Sequence, residues 1–482
     1  MRWHTIVPFA AIIFCLIVGG WFVTYGNGAF LADRDLYLGD FFDAQGDSLL
    51  HGRLDVPRET IAMEAFIVNG RSYGYFGITP SLFRLPLNAL FPAYKGRWAP
   101  LSELAACALF LGAAFGFVRE VRRAIFPECP LDSTFNVLSA LFLVALGMGS
   151  TTIFLLSRPV VFHEVLIWSV ALSLVSLLLI FKYWNRGGVG LLASANVFAL
   201  LAMHTRPVAG CAALLACAVM PVLRYRSASD GASGARPFSC RGKEVIWGVL
   251  FVMLVFGSYL AVTYAKFSTF SGLPVKYHVQ YNPQRLAAIN GSMFHLNNVS
   301  WNMENYFGVA GWKLPFADNK ARYIRECLIM SKRNHPEASI DGVEAFMSIP
   351  VALSALAILS LIGIAGCIRK GRKGLGMTSL SLSTLLGPVT LLFFVYISYR
   401  YYHEYLLWMS CAGAAGICVL RTTISRHKIF CLLLTLLLVV NITINVLFAL
   451  LYQTCGTNVG PPIMEVKEKI EQWNSCIPRL GW

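Results

Sequence analysis

Long, uninterrupted runs of apolar residues constrain the fold of this 482-residue chain more than any other feature. About eleven runs are long enough to cross the hydrocarbon core of a bilayer as helices, which takes about 20 residues each. Charged residues make up only 13% of the chain, against about 25% in soluble domains. The predicted fold is therefore an all-α polytopic membrane protein. The runs lie near residues 5–25, 100–118, 134–156, 160–181, 188–203, 207–223, 244–265, 347–368, 377–397, 404–420 and 429–452.

Basic residues fall in short clusters between these runs, and the clusters predict the topology. Lys and Arg in connecting loops stay on the cytoplasmic side of a membrane. If the N-terminus is cytoplasmic, so are the connections near 119–133, 182–187, 224–243, 369–376 and 421–428, and each of them holds a basic cluster. The C-terminus is then external. The net charge of +15 is explained in the same way, and it needs no nucleic-acid partner.

Two long outward connections divide the chain into four segments. We predict an N-terminal transmembrane module (1–265) that includes a first outer loop (26–99), a second outer loop (266–346), C-terminal transmembrane helices (347–452) and an outer tail (453–482). Backbone that is neither helical nor paired cannot face lipid at membrane depth. The two loops are therefore expected to carry short amphipathic helices at the outer face.

Specific segments of the outer regions favour the membrane surface. Residues 80–91 are amphipathic and aromatic, and they predict an interfacial helix. In the tail, Cys455 and Cys476 are able to form a disulfide if that face is oxidising. The second loop contains aromatic residues that we expect to lie against the membrane: Trp301, Tyr306, Phe307 and Trp312.

The first outer loop collects carboxylates directly after the first apolar run. Exposed carboxylates contribute little to stability, so a local cluster in an otherwise apolar chain indicates chemistry or ion binding. A solvated acidic loop is the simpler alternative. The acids are Asp33, Asp35, Asp40, Asp43 and Asp47.

Further polar residues lie at the predicted outer ends of later helices. Glu164 stands inside an apolar run, where a carboxylate is costly, so it either belongs to a site or pairs with Arg158 or His163. Arg158, Arg206 and Arg400 are basic residues on the side that is normally poor in them. A guanidinium binds phosphate through two parallel hydrogen bonds. The three arginines therefore predict a phosphate site.

Arg400 lies in a short aromatic and acidic stretch with Tyr401 and Glu404. Arg400 and Glu404 are four residues apart, so a simple ion pair at a helix end is the alternative to a binding role. We predict that the donor phosphate or other parts of the substrate contact Arg158, Glu164, Arg206, Arg400, Tyr401 and Glu404.

Acids, arginines and aromatic rings on one face predict group transfer to a hydroxyl. An acid acts as general base on the acceptor, and arginines stabilise a phosphate that leaves. Nucleotide donors are absent outside the cytoplasm, so a phosphate-bearing donor there would be lipid-linked. The scattered acids also permit a divalent cation, Mg²⁺ or Mn²⁺, without requiring one.

Two stretches of the first outer loop resemble the GT-C superfamily of polytopic glycosyltransferases, which use polyprenyl-phosphate sugars. These are residues 40–54 (DFFDAQGDSLLHGRL), with an acid after the first helix and a short helix ending at Gly52, and residues 70–80 (GRSYGYFGITP). The chain departs from the family pattern in two places. It lacks an adjacent pair of acids, and Ile78-Thr79-Pro80 stands in place of a double proline.

The resemblance implies an inverting glycosyltransferase with its active site on the outer face of the cytoplasmic membrane. The partners that it implies are a polyprenyl-phosphate-sugar donor, a glycan, lipid-linked saccharide or protein acceptor, and membrane lipids. It also implies that the catalytic base is the acid nearest the first helix that faces the cavity. Asp40 is the first choice, Asp35 the second and Asp43 the third. We expect Phe41 and Phe42 to give Asp40 an apolar surround that makes its carboxylate a stronger base.

Two other functions are compatible with a polytopic protein. A transporter or flippase of a lipid-linked or anionic solute needs polar residues in the middle of several helices, whereas the unusual charges here cluster at one face. The other is a membrane acyltransferase or phosphotransferase. Its acyltransferase version needs a histidine deep in a helix, whereas the candidates His163 and His403 lie near helix ends.

Overall fold

A computed structural model describes residues 3–34, 36–229, 238–270, 273–308, 333–424 and 427–453. Within these ranges, eight helices are long and apolar enough to cross a membrane, and three shorter helices are apolar. Each of the eleven predicted runs overlaps one of them, which confirms the all-α polytopic fold. The eight long spans are Ile6–Val23, Ala99–Ala124, Val161–Arg186, Pro207–Ser227, Gly242–Phe267, Arg372–Leu392, Tyr399–Thr423 and Lys428–Gln453, and the shorter three are Ser133–Gly147, Val189–Met203 and Ser354–Arg369.

We number the described helices in chain order. They are α1 (Trp3–Val23), α2 (Phe41–Leu50), α3 (Arg58–Ile61), α4 (Thr79–Leu90), α5 (Ala99–Ala124), α6 (Ser133–Gly147), α7 (Thr151–Leu156), α8 (Val161–Arg186), α9 (Val189–Met203), α10 (Pro207–Ser229), α11 (Phe238–Phe267), α12 (Pro283–Ala288), α13 (Val299–Phe307), α14 (Ile349–Ala352), α15 (Ser354–Arg369), α16 (Arg372–Ser383), α17 (Leu386–Leu392), α18 (His403–Thr423) and α19 (Lys428–Gln453). Four short strands accompany them: β1 (Phe66–Val68), β2 (Arg71–Tyr73), β3 (Gly342–Val343) and β4 (Tyr396–Ile397).

Three apolar runs that read as continuous in the sequence are interrupted in the structure. The run near 134–156 divides into α6 and α7 because Ser150 is extended and caps α7, accepting a hydrogen bond from the Thr152 amide. The run near 347–368 divides into α14 and α15 at Leu353, whose backbone is not helical. The run near 377–397 divides into α16 and α17 and ends in strand β4.

The membrane helices pack around α5, α8 and α18, and α15 lies against α18. The contact between α15 and α18 is close because glycines face each other across it. A Cβ on Gly363 would lie 1.9 Å from the Ala412 carbonyl oxygen, and one on Gly416 would lie 2.1 Å from the Leu359 carbonyl oxygen. Small residues allow helices to approach in this way inside a membrane.

The first outer loop forms a small unit of its own on the membrane helices. Strands β1 and β2 pair antiparallel, and Asn69 and Gly70, both with positive φ, make the tight turn between them. The interfacial helix predicted over residues 80–91 is α4, Thr79–Leu90. Its buried face is polar and includes Arg84, whereas Leu82 and Leu90 are exposed. The helix and its exposed apolar residues are therefore present, and its place at the membrane surface stays a prediction.

The second outer loop packs into the protein more than the sequence indicates. Strand β3 pairs in parallel with β4, which ties the loop to the segment before α18. Trp301 and Tyr306 are buried, so the prediction that they lie against the membrane is wrong. The centre of the Tyr306 ring lies 4.7 Å from that of Tyr402 instead, with the two rings tilted by 49°. Phe307 is exposed. Trp312, Cys455, Cys476 and the tail 454–482 lie outside the described residues, and the boundaries of the four predicted segments stay predictions.

Candidate active site

A buried guanidinium joins the first outer loop to the membrane helices. Arg84 of α4 lies 3.3 Å from an Asp43 carboxylate oxygen on α2 through Nη1. Its Nη2 donates to both Glu164 oxygens on α8, at 2.7 and 2.8 Å. Ser102 of α5 also donates to Glu164. With Glu103, whose carboxylate is buried beside Glu164, these residues form what we call the Arg84 cluster.

The Arg84 cluster takes up two residues that the sequence analysis assigned to other roles. Asp43 was a candidate base, and Glu164 was a candidate substrate ligand; both are at most 2% exposed. Glu164 pairs with Arg84 rather than with Arg158 or His163. Burial raises the pKa of the Asp43 carboxyl, and Arg84 partly offsets this rise. The sequence analysis missed Arg84, although an arginine within an amphipathic helix beside an acidic loop was a signal for such a pair.

Most other acids of the first outer loop have a partner. Asp33 accepts a hydrogen bond from Arg97 at 2.8 Å, and Asp47 pairs with Lys95. Both pairs are at the surface, where such contacts contribute little to stability. Asp35 lies outside the described residues.

Asp40 differs from these acids because it is exposed and has no ion pair or side-chain hydrogen bond within the described part of the chain. It occupies the N-cap position of α2 without capping the helix. The next two residues, Phe41 and Phe42, are buried and pack against Phe76. The expected apolar surround of Asp40 is therefore not formed, since the two rings point into the core. Its carboxylate is instead open to an incoming molecule.

Four of the residues predicted to bind substrate come together at the start of α18. The Arg206 guanidinium carbon lies 5.5 Å from the centre of the Tyr401 ring, and that of Arg400 lies 5.4 Å from the same ring. Arg206 Nε donates to Glu404 at 2.8 Å. We call Arg206, Tyr401 and Arg400 the arginine–tyrosine row.

The ion pairs of the row cross between elements. Arg400 pairs with Glu344 of the second outer loop at 3.0 Å, and Glu404 pairs with Arg206. The alternative in which Arg400 and Glu404 form a local helix-end pair is therefore not what the structure shows. Arg400 also lies 4.6 Å from the centre of the Phe162 ring at the start of α8. Loop and helix ends from distant parts of the sequence thus meet at the row.

Arg158 lies in the same neighbourhood and has no ion pair within the described residues. Its guanidinium carbon is 5.0 Å from the centre of the Tyr452 ring. That ring lies 4.4 Å from Phe154, which in turn contacts Tyr399, the residue before Arg400, at 5.1 Å. All three predicted arginines therefore lie around the start of α18.

Aromatic contacts join the row to the helix that carries Asp40. Phe162, beside Arg400, lies 5.5 Å from Phe76. Phe76 lies 5.3 Å from Phe41, which follows Asp40 in the chain. Tyr37 stacks on Phe162 at 6.2 Å. The link between Asp40 and the row is thus a packed set of rings, in which Phe41 and Phe76 are buried, whereas Tyr37 is exposed and Phe162 half-buried. Tyr37 and Phe162 are therefore the rings that suit contact with a sugar or a lipid.

The described residues do not offer a set of ligands for a metal ion. No group of three or more His, Cys, Asp or Glu side chains among them is arranged to hold one. The divalent cation that the scattered acids permit, Mg²⁺ or Mn²⁺, therefore stays a prediction.

Three solved structures of the oligosaccharyltransferase of the archaeon Archaeoglobus fulgidus match this arrangement of helices. The apo form has a TM-score of 0.53 at 11% identity and covers 98% of this chain and 60% of its own. The AglB complex with an inhibitory peptide and a dolichol-phosphate has a TM-score of 0.53 at 12% identity, with coverage of 98% and 60%. The form tethered to an acceptor peptide with an NVT sequon has a TM-score of 0.53 at 12% identity, with coverage of 98% and 59%. The protein has a GT-C fold.

The GT-C fold was expected from the resemblance in residues 40–54 and 70–80, and it is confirmed over nearly the whole chain. The protein spans about three fifths of the length of the archaeal enzymes. No family model matches the sequence, and no curated protein matches it.

Proposed function

We propose that the protein is an inverting glycosyltransferase that moves a sugar from a polyprenyl-phosphate donor to an acceptor on the outer face of the cytoplasmic membrane. The observation that carries this proposal is the meeting of Arg158, Arg206 and Arg400 at one place, joined by aromatic rings to the exposed Asp40. The GT-C fold supports it, and so do the dolichol-phosphate and the acceptor peptide bound by the archaeal enzymes.

In this mechanism Asp40 is the general base. Its carboxylate accepts the proton of the acceptor hydroxyl while the hydroxyl oxygen attacks the anomeric carbon of the donor sugar. The bond from that carbon to the phosphate oxygen breaks, and the lipid phosphate leaves with the electron pair. A single displacement inverts the anomeric configuration. Asp40 suits this role better than Asp43 because its oxygens are exposed and unpaired, whereas Asp43 is held by Arg84.

The leaving phosphate is bound by the arginine–tyrosine row. Among the described residues Arg206 pairs with Glu404 through Nε alone, which leaves its two terminal nitrogens for phosphate oxygens. Arg400 contributes a second positive charge across the Tyr401 ring. Guanidinium groups aimed at a developing negative charge stabilise the transition state. Glu344 and Glu404 hold the two arginines in place before the donor binds.

A charge-conserving substitution tests this assignment. Lys keeps the charge but lacks the planar fork that binds phosphate through two bonds. We expect Arg206→Lys or Arg400→Lys to weaken donor binding about tenfold or more, which corresponds to about 1.4 kcal/mol or more. The measurement is donor affinity of purified, detergent-solubilised protein, using a polyprenyl-phosphate sugar series.

Arg97→Lys is the matched control, because Arg97 forms a surface pair with Asp33. If both row variants keep wild-type affinity, the phosphate is held elsewhere. Arg158→Lys is then the next variant to measure, because Arg158 has no ion pair within the described residues.

The acceptor is a glycan, a lipid-linked saccharide or a protein. The archaeal neighbours point to a peptide, because AglB was captured with peptides. A transfer assay with a labelled donor and one acceptor of each class separates the three.

A further inference from the structure

A short segment, residues 74–77, lies between the helix of Asp40 and the turn of Arg206, and we call it the strap. Glycine at position 74 lets the strap pass under α2, because a Cβ there would lie 2.5 Å from Cζ of Phe41. The Phe76 ring adds a contact with Phe41 at 5.3 Å. One side of the strap is therefore fitted to the start of α2.

The other side of the strap is fitted to the connection between α9 and α10. The Gly77 amide donates to the Thr205 carbonyl at 3.2 Å, and the Thr79 amide donates to the His204 carbonyl at 2.9 Å. A Cβ on Gly77 would lie 1.8 Å from the His204 carbonyl oxygen, so only glycine fits. The strap is thus the direct link between α2 and the turn that ends in Arg206.

Lys266, in the last turn of α11, holds the strap from the membrane side. Its ammonium donates to the carbonyl oxygens of Gly74 at 3.2 Å and Phe76 at 2.8 Å. The residue is only 4% exposed. Within the described residues no carboxylate pairs with it. A buried ammonium that is bonded to carbonyl oxygens but has no carboxylate beside it is costly to a fold, so its presence points to a role beyond packing.

The strap carries Tyr75 between the two carbonyls that Lys266 holds. Burial raises the pKa of Tyr75 well above its usual value, Glu64 adds to the rise, and Arg400 and Arg206 oppose it. The Tyr75 ring packs within 4.2 Å of Phe76, and Phe76 in turn contacts Phe162 beside Arg400. Tyr75 therefore adjoins the ring contacts that lead to the row. A shift of the strap would change the position of Tyr75 relative to the arginine–tyrosine row. It would also change the position of α2 relative to the row.

We propose that Lys266 is a positioning residue for the transfer reaction. Its ammonium fixes the strap, and the strap fixes Tyr75 and the helix of Asp40 relative to the arginine–tyrosine row. This inference rests on the proposed function. Lys266 contacts neither the donor nor the acceptor, because it acts through the backbone of residues 74–77.

The test compares Lys266→Met with Lys276→Met, a matched change at an exposed lysine of the same outer loop. We expect Lys266→Met to lower kcat about 10²-fold, the loss that a misplacement of about 1 Å produces. The donor KM should change little. Deuterium exchange at the Gly77 and Thr79 amides should become faster. Lys266→Gln, which keeps an N–H donor, should recover part of kcat.

The proposal fails if Lys266→Met turns over like the Lys276→Met control, or if exchange at Gly77 and Thr79 is unchanged. It also fails if only the melting temperature falls while kcat per folded molecule is kept, since that is a purely structural role. Should Lys266→Met not fold, the same two readouts on Lys266→Gln decide. If the wild-type protein transfers no sugar, the proposed function is wrong, and the exchange measurement still decides whether Lys266 holds the strap.

Discussion

At the level of single residues, the Arg84 cluster contains three carboxyl groups but only one basic side chain. Asp43, Glu103 and Glu164 surround one guanidinium, and all four side chains are buried. Both carboxylate oxygens of Glu103 lack a hydrogen-bond partner within the described residues. An ionised carboxylate in that state is expensive to bury. Glu164, in contrast, is bonded through both oxygens to Arg84.

The two glutamates of the cluster should therefore respond differently to the same substitution. Glu103→Gln should leave the melting temperature near the wild-type value, because a neutral amide of the same shape replaces a group that has no charged partner. Glu164→Gln should destabilise the protein by about 3–5 kcal/mol, the cost of breaking a buried ion pair. Thermal unfolding in detergent measures both. Equal losses for the two variants would contradict this description of the cluster.

Sequence reasoning at this scale found the residues of the candidate site but not their partners. It placed Arg158, Arg206 and Arg400 on one face because basic residues are normally rare on the outer side of a membrane. Tyr401 was included because it follows Arg400 in the chain. It could not assign Glu164 to Arg84, because the two are 80 positions apart and only the folded loop brings them together. It also gave Asp40 an apolar surround from its neighbours Phe41 and Phe42, which point into the core.

At the scale of helices, the apolar runs predicted where the helices lie but not where they break. Run length and hydropathy are local properties, so the eleven segments were readable from the sequence. The break at Ser150 depends on a side-chain cap, and the end of α17 depends on pairing between β4 and β3. Neither leaves a clear signal in an apolar window.

The contact between α15 and α18 provides a test of the helix packing. Gly363→Ala should destabilise the protein, because the new methyl group would meet the Ala412 carbonyl oxygen at 1.9 Å and push the backbones apart. Gly112→Ala on α5 is the control, since a Cβ there meets nothing within 4 Å. Alanine is a better helix former than glycine by about 1 kcal/mol. The melting temperature should therefore fall for the first variant and stay level or rise for the second; the reverse order would refute the packing.

Over the whole molecule, the GT-C fold places the first outer loop on the ends of the membrane helices. Arg84 and Lys266 anchor this loop from two sides, through α4 and through the strap. The loop was recognisable from its acids and from residues 40–54, whereas both anchors are single buried cations that the sequence does not distinguish from other basic residues. The predicted sidedness, with the loop outside and the basic clusters inside, would give Asp40 access to the lipid-linked donor that we propose.

The turnover of Asp40→Asn decides whether Asp40 is the general base of the proposed transfer. Asp33→Asn and Asp47→Asn serve as controls, because these acids lie in the same loop but form surface pairs with Arg97 and Lys95. The assay follows sugar transfer from a polyprenyl-phosphate donor by purified protein, with donor binding measured in parallel. We expect Asp40→Asn to lose about 10²–10⁴-fold in turnover, with donor binding and the melting temperature kept and both controls active. Normal turnover of Asp40→Asn would contradict the assignment of the base. If Asp35→Asn and Asp43→Asn also turn over normally, the glycosyltransferase mechanism itself is contradicted.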